Sequence, residues 1–160
     1  MRTQITLAAL AAAISWAASA AVYAGQILEE SGTDSLIVEV QALQLDEGHT
    51  LVWYWARGTK LADDPKSPAH LATGDCVGTA DIMPNNKFKV NGYCAWTDRD
   101  GDKFFGRTWQ DSSMAQGAYE YIGGTGKWKG VGRGTYVATD LSKPPQGRTV
   151  SRFKGVNELK

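Results

Sequence analysis

Apolar residues along this chain recur at every second position, and no stretch past the first two dozen residues sustains the period of a long amphipathic helix. The cleanest case is Lys87–Trp96, where Phe88, Val90, Cys94 and Trp96 fall on one face, as alternate residues of a strand do. Leu36–Leu45 reads as a strand, with Leu36, Val38, Val40 and Ala42 on one face and Glu39 and Gln41 on the other. Asp46-Glu47-Gly48 turns the chain into a second, aromatic strand, His49–Ala56, and the two form a hairpin. Gly58–Ala72 breaks the pattern, and Asp63-Asp64-Pro65-Lys66-Ser67-Pro68 is a loop by composition. Further strands are predicted over Gly74–Met83, Lys103–Gln110, Ala118–Ile122, Trp128–Thr139 and Arg148–Val156, with turns or loops between them.

The glycines sharpen this picture. Six of the 18 lie between Gly123 and Gly134. Gly123, Gly124 and Gly126 read as a turn, because glycine tolerates positive φ. Gly130, Gly132 and Gly134 then alternate, which leaves one strand face bare and the other carrying Lys129, Val131, Arg133 and Thr135. A bare face admits a close neighbour or a sharp bend of the sheet. A phosphate-binding loop is excluded, since no Gly-Lys-Ser/Thr ending and no following helix are present.

Eight short strands separated by turn signals indicate an all-β sandwich or barrel. A closed eight-stranded barrel removes exposed edges and has an interior just wide enough for side chains or one small ligand. The 160 residues fit one such domain. Residues 1–24 read as a secretory signal peptide, with Arg2 ahead of an Ala-rich apolar run and Val22-Tyr23-Ala24 before a cut at Gly25. The alternative, a membrane anchor, suits the short and moderately apolar run from Leu7 to Ala21 less well. Residues 25–34 then form a polar leader and 35–160 the barrel domain, placed in the periplasm or secreted. The formal net charge of zero argues against nucleic acid and anionic membrane as partners. In an exported chain the pair Cys76 and Cys94 reads as one disulfide; two buried free thiols are the alternative.

Gly123-Gly124-Thr125-Gly126-Lys127-Trp128-Lys129-Gly130-Val131-Gly132-Arg133-Gly134 resembles the glycine run of the allene oxide cyclase-like and dirigent-like barrels. Gly74–Tyr136 as a whole looks like small exported bacterial proteins of that kind. Those carry a Cys, a second Cys ahead of an Asp-x-Asp-Gly-Asp turn, and then the GTGK run, matched here by Cys76, Cys94, Asp98–Asp102 and Thr125-Gly126-Lys127. The resemblance implies an eight-stranded antiparallel barrel of calycin-like shape with a cavity. Allene oxide cyclases act on a strained fatty-acid epoxide and dirigent proteins orient phenoxy radicals; no functional residue of either is carried over to a position here.

Candidate sites follow from the residues themselves. Trp53, Trp55, Trp96 and Trp109 can line an apolar pocket or simply fill the core. Glu120, between Tyr119 and Tyr121, is a candidate cavity acid with Arg133 as counter-charge; the alternative is that both face solvent. Asp98, Asp100 and Asp102 are spaced like the opening of a calcium loop, but Gly101 and Trp109 stand where that loop needs other residues, so a hydrogen-bonded turn is the competing reading and no metal or cofactor is assigned. His49 and His70 flank loops, without a nucleophile partner in view. The expected function is an exported barrel that binds a small apolar or amphipathic molecule. The alternatives are an isomerase or cyclase working by positioning, with Glu120 or Glu39 turned inward, and an interaction module presenting the Asp63–Pro68 loop.

Overall fold

The computed structural model describes residues 26–140 and 147–159. The signal-peptide reading, and most of the loop after Asp140, lie outside the described residues. Eight strands follow in order: β1 Gln26–Asp46, β2 His49–Ala62, β3 Thr73–Met83, β4 Lys87–Thr97, β5 Lys103–Asp111, β6 Gly117–Gly124, β7 Val131–Asp140 and β8 Arg148–Leu159. Each pairs antiparallel with the next, and β8 pairs back to β1, closing a barrel. The all-β, eight-stranded expectation is met. One rim carries the segment between β2 and β3, the acidic turn between β4 and β5, and a 3-10 turn over Gly126–Lys129 between β6 and β7. The opposite rim carries the tight turns between β1 and β2 and between β3 and β4.

Three boundaries differ from the sequence reading. Residues 26–34, expected as a leader, are the first half of β1 and supply the barrel's closing seam, with Gln26 opposite Leu159 and Ile37 opposite Arg148. The polar run hides its period because the inward positions, Leu28, Glu30, Gly32 and Asp34, are mostly not hydrophobic. Likewise β2 runs on through Gly58–Ala62, where a break was expected, and Lys60 lies on its inward side. Trp128 belongs to the 3-10 turn rather than to a strand.

The bare glycine face of β7 looks inward, and two rings from β6 fill it. A Cβ on Gly132 would come within 2.5 Å of the Tyr121 ring, and one on Gly134 within 2.6 Å of the Tyr119 ring. Tyr121 then meets Phe104, with ring centroids 5.1 Å apart and edge to face. Phe104 is fully buried and lies 4.3 Å from Trp128, which plugs the rim. These rings and Trp96, Phe153 and Leu159 make a solid core at the 3-10 rim. Cys76 and Cys94 stand directly opposite each other on β3 and β4 and form a disulfide, as expected. Closing a loop over a separation of 18 residues contributes about 3 kcal/mol in the chain-entropy model.

Candidate functional site

Away from the aromatic plug the barrel is hollow. A cavity of about 290 Å³ runs between all the strands, near the lower end of the size range of small-molecule sites. The space exists because inward positions on neighbouring strands are small. Ala56, Gly78, Gly92 and Gly106 face in, and Tyr54 lies across the glycines of β3 and β4 with its hydroxyl hydrogen-bonded to Thr108. Leu36, Val38, Val90, Tyr136 and the Cys76–Cys94 disulfide complete a largely apolar wall.

Charge is concentrated at the cavity's base. Lys60 reaches in from β2, with its side chain only 4% exposed, and its Nζ lies 2.9 Å from Asp34 Oδ1 on β1. The ammonium is flanked by ring faces, 3.6 Å from the Phe153 centroid and 5.0 Å from that of Trp96, an arrangement that stabilises a desolvated cation. Behind the pair, Glu30 accepts a hydrogen bond from Ser67 Oγ at 2.8 Å and another from Asn157 Nδ2 at 2.9 Å. Burial raises the Asp34 carboxyl above its ordinary range, against the opposing pull of Lys60. Burial likewise raises Glu30, against Lys60 and its two hydrogen-bond donors.

Two phenols complete the base. Tyr119 and Tyr121 line the cavity, and neither hydroxyl has a hydrogen-bond partner among the described residues. Burial, and then the nearby Glu30 charge, holds both well above the usual phenol range, so both are neutral donors. Leaving a buried hydroxyl unpaired costs about 1–3 kcal/mol. Both hydroxyls are enclosed in the wall rather than open to the cavity, that of Tyr119 against Gly134 and Gly155.

Of the ligand-binding candidates singled out in the sequence, Trp96 lines this cavity. The others do not. Trp53 and Trp55 are 45% and 46% exposed on the outer wall. Trp55 donates to Asp75 Oδ1 at 3.1 Å and carries the Arg57 guanidinium 4.5 Å above its ring. Trp109 lies under Arg107, outside the cavity lining. Glu120 also faces outward and pairs with Arg107 at 2.7 Å rather than with its cross-strand neighbour Arg133, which is exposed. Strand parity decides this: Tyr54, Ala56 and Lys60 point inward, so the odd-numbered residues of β2 must point out. Glu39 is exposed as well, which removes both acids on which the isomerase reading rested. The histidines stay at the rims, His49 Nε2 2.7 Å from Asp81 Oδ1 and His70 Nδ1 2.9 Å from the Ala62 carbonyl. The Asp63–Pro68 loop turns partly onto its own barrel, through Ser67 to Glu30 and through Asp63 to Arg152.

The acidic turn has a cation of its own. Lys127 Nζ lies 2.7 Å from Asp98 Oδ2 and 3.1 Å from one oxygen each of Asp100 and Asp102. Asp98 also accepts from Trp128 Nε1 at 2.7 Å and from the backbone N–H groups of Asp100 and Asp102. Burial pushes its carboxyl up, but these bonds outweigh it and hold the group below its ordinary range. The ammonium thus takes the place that a calcium reading would give to a metal. Among the described residues no cluster of His, Cys, Asp and Glu is arranged to hold a metal ion.

No protein-family model matches the chain, and no curated protein matches it. Among solved structures, it is similar to a pterocarpan synthase dirigent protein, at 14% sequence identity and a TM-score of 0.49, over 84% of this chain and 92% of that one.

Proposed function

We propose that the protein binds a small, mainly apolar, uncharged molecule in its barrel cavity, with an oxygen acceptor of the ligand directed at the base. The observation that carries this reading is the cavity itself: about 290 Å³ of space, largely apolar walls, and the Lys60 ammonium beside Asp34 at one end. A few polar groups converging in an apolar pocket fix a ligand's orientation. Charged ligands fit less well. An anion would join Asp34 and Glu30, and a cation would meet Lys60. Export to an oxidising compartment belongs to the same proposal and is supported by the Cys76–Cys94 disulfide.

Titration of the purified protein with a hydrophobic fluorescent probe tests it. Probe emission should rise saturably, and Trp96, which lines the cavity, should be quenched. Val90→Trp places a large ring on the cavity wall and should abolish both signals while leaving the unfolding midpoint within a few degrees of the parent. A probe response that survives Val90→Trp overturns the cavity as the site.

A further inference from the structure

The base of the cavity holds a primary amine beside a carboxylate, and the binding reading gives that amine no task. Lys60 is the one lysine among the described residues that lines the cavity. It is buried and held between two aromatic faces, and its neighbours beyond the rings are Asp34 and the far side of the Glu30 cluster. A lysine in a dry pocket is a nucleophile toward carbonyl carbon once its proton is removed. Asp34, 2.9 Å away, is placed to remove it, and its burial makes it a stronger base than a carboxylate in water. An amine and an adjacent acid–base group are the pair that captures a carbonyl compound.

We propose that Lys60 holds an apolar aldehyde or ketone at the base of the barrel as a reversible imine. The inference rests on the cavity-binding reading and names the ligand's reactive group. Asp34 takes one proton from the Lys60 ammonium, and the free amine adds to the carbonyl carbon. A proton passes from nitrogen to the former carbonyl oxygen to give the neutral carbinolamine. Asp34 then returns its proton to the hydroxyl, which leaves as water, and the nitrogen lone pair forms the C=N bond. One carbonyl compound and one ammonium give one iminium and one water. No electron transfer is required, and the iminium keeps the positive charge opposite the Asp34 carboxylate. The rings of Tyr119 and Tyr121 line the same space and help keep water from the imine.

The test uses the purified full chain with cinnamaldehyde, cinnamyl alcohol as the non-electrophilic partner of like size, and sodium cyanoborohydride to trap any imine. Intact mass and peptide mapping should show one reduced adduct on Lys60, at least tenfold above any exposed lysine. Lys60→Arg should lose that adduct while still binding cinnamyl alcohol by Trp96 quenching. Asp34→Asn should slow trapping by about tenfold or more. Should Lys60→Arg fail to fold, the peptide map of the parent protein decides alone. Quenching by both compounds with label spread over exposed lysines and absent from Lys60 overturns the imine and leaves the binding reading standing. Quenching by neither, with no adduct on Lys60, overturns both.

Discussion

At the scale of single residues, titration divides the buried acids into two opposed groups. Asp98 is held below its ordinary range, so its stabilising share is present above the unfolded value near 3.9 and is lost as pH falls through the folded one. Glu30 and Asp34 are raised, so the folded state binds their protons more tightly. Their share is full below about pH 4 and declines as pH rises through their folded values. Stability should therefore peak on the acidic side of neutrality, and melting temperatures measured from pH 3 to 8 check it. Glu30→Gln should flatten the decline toward pH 8. Lys127→Met leaves the Asp98 side chain, which is 0% exposed, without its ammonium. Breaking a buried pair in this way should cost about 3 kcal/mol by urea denaturation.

These residues also mark what the sequence shows and what it hides. Trp96 was legible because its strand alternates without interruption. Glu30, Asp34 and Lys60 were not, because a polar residue at an inward position cancels the apolar period by which a strand is recognised. They fell in the stretches read as a leader and as a break. The signal available was the combination of charged residues with strand-compatible neighbours on both sides, which local periodicity does not weigh. Trp53 and Trp55 misled in the opposite sense, since ring size favours burial while strand parity places them outside.

Among elements, strands and turns were legible nearly throughout, since alternation and turn chemistry agree from β3 to β6. The 3-10 turn was not, because Trp128, Gly130, Gly132 and Gly134 share one parity and read as an unbroken strand face. Gly126, at φ +50°, is a turn glycine that the sequence marks, but the turn runs on through Lys129, with Lys127 tethered to the acidic turn. That tether joins two motifs that looked separate in the sequence. The glycine face of β7 makes a further prediction. Gly134→Ala should destabilise by about 2 kcal/mol, as overpacking does, because the added methyl meets the Lys154 carbonyl and the Tyr119 ring. In a double-mutant cycle with Tyr119→Ala, measured by chemical denaturation, the two costs should fall short of additive.

For the whole molecule, closure is the governing fact. Every strand has two neighbours along at least part of its length, and among the described residues the end of β1 beyond Ile37 is a sheet edge paired in strand register with β2 alone. Closure depends on residues 26–37, which pair with β8 and also bring Glu30 and Asp34 to the cavity base. A chain beginning at Ser35 should lose cooperative unfolding in a denaturant titration, whereas removal of a true leader would leave the transition unchanged.

The seam between β1 and β8 also sets a clock. Gln26 has as its partner Leu159, near the other end of the sequence. At a synthesis rate of roughly 5–20 residues per second, the first strand waits on the order of ten seconds for its mate to exist. The barrel is thus unable to close before the residues of β8 have been made.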